Sequence, residues 1–281
     1  MDPAPFVRGA AFPATRSVPY PRAKPDDRLP RDTWQMACIP AGVRLEFVGS
    51  SDVTIELDGA GDDGLAWVEA DDRTVVYLPA QAGVRVVSIE GDVEPAPAQP
   101  RWLAYGDSIT EGWVTSTPAQ AWPAVAGREH GLDVVNMGYA GAARGEIASA
   151  EHVAELPADV ITVAHGTNCW TRTPHTAAMV AEGLRAFLDV VRQGHPDTPV
   201  VVVSPIVRPD AETTPNRLGA TLQDLRRAIE DVAAERTDVD LVPGADLVRP
   251  DQLPDGIHPG DEGHAAIAAR VGPVLAKAVT G

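Results

Sequence analysis

Cysteine is nearly absent: Cys38 and Cys169 are the only two in 281 residues. That is too few for a disulfide framework or a cysteine-bound zinc site, and each sits among apolar or small neighbours where a buried, reduced thiol is expected. No stretch approaches the 18 or more apolar residues that read as a membrane span. The opening residues Met1-Asp2-Pro3-Ala4-Pro5 have neither the basic start nor the apolar run of a secretory leader, so cytoplasmic residence is the expectation. Basic charge is also scarce. Lys and Arg number 23 against 40 Asp and Glu, a net charge of −17 that repels phosphate backbones and anionic lipid. Neither nucleic acid nor a membrane is an expected partner. The acidic residues are scattered rather than gathered in one block, and they point to no substrate.

The chain divides into segments of different texture. Residues 1–33 are rich in Pro and Arg without helical periodicity and read as an extended arm. Residues 34–94 hold short β-rich runs at Val43–Val48, Val53–Leu57, Leu65–Val68, Thr74–Leu78 and Val84–Ile89, separated by Gly and Asp turns such as Asp58-Gly59 and Glu90-Gly91. That spacing suits a small antiparallel β-sandwich. Pro95-Ala96-Pro97-Ala98-Gln99-Pro100 reads as a semi-rigid linker. Over residues 101–281 apolar strands, expected at 102–105, 133–136, 160–164, 199–203 and 239–242, alternate with helices expected at 119–130, 176–193, 216–236 and 261–279. Such alternation is the signature of an α/β fold with a parallel sheet covered on both faces.

Within this second part the chemistry is concentrated just after strands. Gly106-Asp107-Ser108-Ile109-Thr110 follows the first strand, and Asp255-Gly256-Ile257-His258 precedes the last helix. A serine hydroxyl is a weak nucleophile until a base takes its proton. His258 can be that base, and Asp255 can hold its imidazole in one tautomer and stabilise the imidazolium. Asp107 directly precedes Ser108 and is expected to order the turn. Two further segments can supply oxyanion donors: Asn136-Met137-Gly138-Tyr139-Ala140-Gly141, where glycines allow close backbone approach, and His165-Gly166-Thr167-Asn168, where a side-chain amide can donate. Cys169 is a rival nucleophile beside Asn168, but no basic neighbour accompanies it in sequence.

Taken in order, these blocks carry Ser, Gly, Asn and His, and the chain from about residue 100 to 281 resembles the SGNH or GDSL-type hydrolases, which are named for those residues. The resemblance implies a flavodoxin-like three-layer α/β/α domain preceded by a small, jelly-roll-like sandwich. It also implies Ser108 as nucleophile and first oxyanion donor, Gly141 and Asn168 as the other donors, and Asp255 and His258 as the rest of a triad. The family often has Ser before its oxyanion glycine, whereas Ala140 stands here, which leaves Gly138 as an alternative to Gly141.

The expected activity is that of a serine esterase hydrolysing a short-chain ester, acetyl included, of a carbohydrate or small metabolite. The alternatives are an acyltransferase acting on a natural-product or sugar hydroxyl, and a carbohydrate-binding protein on an esterase scaffold. The small-molecule acyl ester is the expected partner, no metal or organic cofactor is implied, and nothing in the sequence indicates the oligomeric state. Trp113, Tyr139 and Trp170 lie near the motif loops and are candidate pocket walls, while Phe47, Trp67 and Tyr77 are the candidate sugar-facing aromatics of the sandwich. His165 is expected to support the site from behind, and residues 204–216 are the candidate specificity loop.

Overall fold

The first third of the chain forms strand β1 (Val7–Arg8), helix α1 (Arg31–Ala37) and strands β2 (Arg44–Gly49), β3 (Thr54–Asp58), β4 (Ala66–Ala70), β5 (Arg73–Tyr77), β6 (Arg85–Glu90) and β7 (Val93–Pro95). The structure is a computed structural model, and it describes residues 1–50, 52–59, 64–70, 72–80, 83–171 and 173–281. The five-stranded antiparallel sheet runs β1-β2-β5-β4 with β7 also on β2, and β3 and β6 form a separate antiparallel ribbon. Leu45, Phe47 and Val76 from the sheet meet Val86 and Ile89 from the ribbon in one core. β-Branched residues on pleated surfaces, punctuated by glycine turns, account for the element type.

Two expectations change here. Residues 1–33 do not stand off as an extended arm. Phe6, Phe12, Val18 and Leu29, spaced between the prolines, are buried, and β1 pairs with β2 through Val7 opposite Leu45. Of the aromatics offered as a sugar platform, Phe47 and Tyr77 are 1% and 2% exposed and belong to the interior, whereas Trp67 is exposed.

From Arg101 the pattern becomes β8 (Arg101–Gly106), α2 (Ser108–Glu111), α3 (Trp122–His130), β9 (Asp133–Gly138), α4 (Ile147–Glu155), β10 (Val160–Ala164), α5 (Ala177–Gly194), β11 (Val200–Val203), α6 (Leu222–Ala234), β12 (Val239–Val242) and α7 (Asp261–Thr280). All five strands are parallel, in the order β12-β11-β10-β8-β9. This is the flavodoxin-like order, whose switch point lies beside the first strand. Residues alternate between faces along each strand. Leu103, Tyr105, Val135 and Met137 pack with residues of α4, α5 and α6, while Trp102, Ala104 and Val134 pack with residues of α3 and α7. The result is a three-layer α/β/α arrangement. No helix among the described residues is long and apolar enough to cross a membrane.

Helix α6 starts later than the expected residue 216. Asn216 Oδ1 accepts the N–H groups of Leu218 and Ala220, holding a turn, and the helix opens at a capping box made by Thr221 and Asp224. The short helices α2 and α4 were not expected. The small residues Ala148, Ser149 and Ala150 of α4 give no strong apolar stripe in sequence.

Candidate active site

The turn that carries Ser108 follows from local packing. A side chain on Gly106 would meet Thr110 Oγ1 at 2.1 Å and the Ala164 carbonyl at 2.7 Å, so only glycine lets β8 close onto α2. Asp107 caps α2, its Oδ1 accepting the Ile109 N–H at 3.0 Å. Burial pushes the Asp107 carboxyl up to about 6. Ser108 is thereby the first residue of the helix, where its N–H has no intrahelical acceptor.

The loop after β12 supplies the partners. His258 Nε2 lies 2.9 Å from Ser108 Oγ, and His258 Nδ1 lies 2.7 Å from Asp255 Oδ2. Gly256 takes a positive φ of 78°, which folds the loop so that Asp255 Oδ1 accepts the Ile257 and His258 N–H groups at 2.9 and 2.7 Å. Partial burial works against the charge on Asp255. The His258 ring and the two backbone donors outweigh it and hold the carboxyl below its ordinary range. With Asp255 ionised, the ring proton belongs on Nδ1 and the Nε2 lone pair faces the serine hydroxyl. Asp107, spent on its cap, is not the carboxylate bonded to His258.

Between Gly138 and Ala143, five of the six backbone N–H groups are taken. Gly138 N–H goes to Asn136 Oδ1, Tyr139 N–H to the Gly106 carbonyl, Ala140 N–H to Glu111 Oε2, and those of Ala142 and Ala143 to the Tyr139 carbonyl. Gly141, at φ 67°, is the one left without an acceptor among the described residues, and a Cβ there would meet nothing within 4 Å. Gly138 serves another end: a Cβ on it would lie 2.3 Å from Glu111 N, so its lack of a side chain seats β9 against α2. Of the two glycines, Gly141 is thus the one whose N–H has no acceptor among the described residues. Asn168 Nδ2 donates one hydrogen to the Ala143 carbonyl at 3.1 Å, leaving its second amide hydrogen for a ligand.

Trp113 is 49% exposed, and its ring centroid is 6.2 Å from that of His258. It lines a cleft of about 420 Å³ whose other wall is formed by Leu65, Ala66, Pro79 and Ala80, at and beside the ends of β4 and β5. A second cavity, of about 260 Å³, lies among Arg44, Arg73, Tyr77 and Arg128 and is lined by none of Ser108, Gly141, Asn168, Asp255 and His258. Trp170 is partly buried, its Nε1 donating to the Thr214 carbonyl and its face covered by the Arg208 guanidinium, so residues of the 204–216 loop do border the Asn168 turn. Tyr139 is a correction. It is fully buried against Tyr105, with its hydroxyl donating to the Arg22 carbonyl, and it cannot wall an open pocket. Burial pushes the Cys169 thiol up to about 12, which removes it as a rival nucleophile. His165 packs between Tyr105 and Phe187, with neither ring nitrogen bonded among the described residues. Among the described residues no cluster of His, Cys, Asp and Glu could hold a metal.

The profile of the GDSL-like lipase/acylhydrolase family matches residues 104–266, more than half of the chain. The chain belongs to that family. As a GDSL-like acylhydrolase it is an enzyme of the carboxylic ester hydrolase type. Its fold is similar to that of the salicylyl-acyltransferase SsfX3 from a tetracycline biosynthetic pathway, with TM-score 0.78 and 23% identity over 96% of this chain and 94% of that one. A putative GDSL-like lipase from Bacteroides ovatus is similar at TM-score 0.78 and 20% identity, over 98% and 96% of the respective chains. A family two carbohydrate esterase from Clostridium thermocellum is similar at TM-score 0.63 and 14% identity, over 85% and 92%. These likenesses concern the fold. No curated protein matches this chain. What sequence reasoning missed in this GDSL-like enzyme is the support beneath the glycine loop, where Glu111 and the fully buried Arg22 meet. Glu111 lies within three residues of Ser108 and had that proximity as a signal; Arg22 had none.

Proposed function

We propose that this enzyme is a serine esterase that cleaves a short acyl ester of a carbohydrate or small metabolite through an acyl-enzyme. The observation that carries the reading is the continuous hydrogen-bonded line Asp255–His258–Ser108. Ser108 Oγ attacks the ester carbonyl carbon as its proton passes to His258 Nε2. The oxyanion that forms is met by the Ser108 and Gly141 N–H groups and the free amide hydrogen of Asn168. Collapse breaks the bond to the alkoxide, which leaves with the proton from His258. His258 then takes a proton from water, whose oxygen attacks the acyl carbon; collapse of this second intermediate breaks the bond to Ser108 Oγ, which leaves with the proton returned by His258 as the acid departs.

The alcohol portion is assigned to the cleft beside Trp113, one wall of which comes from residues at and beside the ends of β4 and β5 in the N-terminal sheets. We read those sheets as an accessory unit shaping the pocket rather than as a separate sugar-binding module, because Trp67 is the one exposed aromatic of the three considered. The same cleft supports a second reading, acyl transfer to an acceptor hydroxyl, which is also the activity in the name of the similar salicylyl-acyltransferase. Acyl transfer and hydrolysis share every catalytic group and differ in what resolves the acyl-enzyme.

Hydrolysis of p-nitrophenyl esters from acetate to octanoate by wild type and Ser108→Ala tests the reading. Turnover by the wild type alone is expected, with preference for the short chains, and a fully active Ser108→Ala would refute the mechanism. Product partition in added alcohols and sugars separates the two outcomes: hydrolysis leaves the free acid, transfer a new ester.

A further inference from the structure

The guanidinium of Arg22 is 0% exposed, and each of its five N–H donors has an acceptor. Nε donates to the Ile39 carbonyl at 2.6 Å, Nη1 to the carbonyls of Asn136 and Gly138, and Nη2 to the Met36 carbonyl at 2.6 Å and Glu111 Oε2 at 3.2 Å. Its own carbonyl accepts the Tyr139 hydroxyl at 2.7 Å. The Glu111 side chain is 6% exposed, and the oxygen that receives Arg22 also accepts the Ala140 N–H at 3.0 Å. The two residues thus grip the backbone immediately before Gly141 from below, one through the Gly138 carbonyl and the other through the Ala140 N–H. A carboxylate this near a developing oxyanion opposes it unless neutralised, and Arg22 is the cation that neutralises it.

We propose that Arg22 and Glu111 are positioning residues that aim the Gly141 N–H, so the segment between β1 and α1 is part of the catalytic apparatus. This rests on the reading of Gly141 as an oxyanion donor. Geometry of this kind acts on the transition state more than on the bound substrate. Its loss therefore appears in kcat and not in KM. Lysine cannot replace Arg22, since an ammonium has three donors for five acceptors.

The test compares full-length wild type, Glu111→Ala, Glu111→Gln, Arg22→Lys and Ser108→Ala on p-nitrophenyl acetate, with thermal unfolding to establish that each is folded. An alkylboronic acid that forms a tetrahedral adduct on a serine serves as the transition-state probe. Glu111→Ala is expected to lose about 10- to 100-fold in kcat with KM held within about threefold, and boronate affinity should fall in step. Glu111→Gln, whose amide oxygen can still accept the Ala140 N–H, should recover most of that loss; Arg22→Lys should show the same kcat-selective defect. Folded Glu111→Ala or Arg22→Lys with kcat within about twofold of wild type, a loss confined to KM, or Glu111→Gln as poor as Glu111→Ala would each overturn the proposal. Should Glu111→Ala not fold, Arg22→Lys and Glu111→Gln decide by the same criteria. Activity in Ser108→Ala would instead strike the underlying catalytic reading, whereas a dead Ser108→Ala beside an unimpaired Glu111→Ala would remove the positioning role alone.

Discussion

His258 Nε2 lies 2.9 Å from Ser108 Oγ across 150 positions of sequence. The contact is made because the loop after β12 and the turn after β8 open at the same end of one parallel sheet. If His258 is the base proposed above, its loss leaves the hydroxyl protonated, and His258→Ala should lower kcat by at least about 10³-fold. Steady-state assays with a pre-steady-state burst would show whether acylation is the step lost.

Asp255 and Asp107 should separate cleanly. Asp255→Asn removes the acceptor that fixes the His258 tautomer, and a loss of about 10²- to 10⁴-fold in kcat is expected. Asp107→Asn disturbs a helix cap and should cost less than about tenfold in kcat. A larger rate loss at Asp107 than at Asp255 would reverse the assignment.

Asn168→Ala should reduce kcat by about 10²- to 10³-fold with little change in KM, as expected when one oxyanion donor is removed. Gly138→Ala should behave differently. Its Cβ would lie 2.3 Å from Glu111 N, so the expected result is a lowered Tm rather than a kcat-selective defect. Kinetics and thermal unfolding on both variants check the distinction.

Acid should destabilise the fold between pH 7 and pH 5. Burial pushes the His165 and His264 rings down to about 4, whereas the unfolded chain titrates near 6.5. Their stabilising effect is full above 6.5 and is lost as pH falls toward 4, by about 2 kcal/mol each at pH 5. Asp107 works in the opposite sense, since its raised carboxyl favours the folded state at low pH, but it offsets only about 1 kcal/mol over that interval. Denaturant unfolding at the two pH values should show a net loss, and His165→Phe, which keeps an aromatic between Tyr105 and Phe187, should flatten the dependence by its own share. A flat profile in the wild type would contradict this account.

Trp113 should govern the alcohol portion of the substrate. Trp113→Ala is expected to raise KM for esters of bulky alcohols by about tenfold while leaving KM for methyl or ethyl esters nearly unchanged. Equal effects on both series would place the alcohol elsewhere.

The positions of the motif blocks relative to strands were legible without coordinates, since apolar runs such as Val160–Ala164 and the turn residues after them are local signals. The charge balance, the scarcity of cysteine and the ordered Ser, Gly, Asn and His blocks likewise determined the broad class of chemistry. Choosing Gly141 over Gly138 required the structure, because it depends on which N–H groups already have acceptors, and those acceptors come from β8, β9, α2 and the loop itself. Tyr139 read as a pocket wall and Cys169 as a rival nucleophile because each adjoins a motif block in sequence, yet both are buried, which is a property of the packed fold. The union of Arg22 with Glu111, 89 residues apart, lay furthest from view. Local periodicity constrains elements a few turns long, whereas the satisfaction of a buried guanidinium is settled only when distant segments close around it.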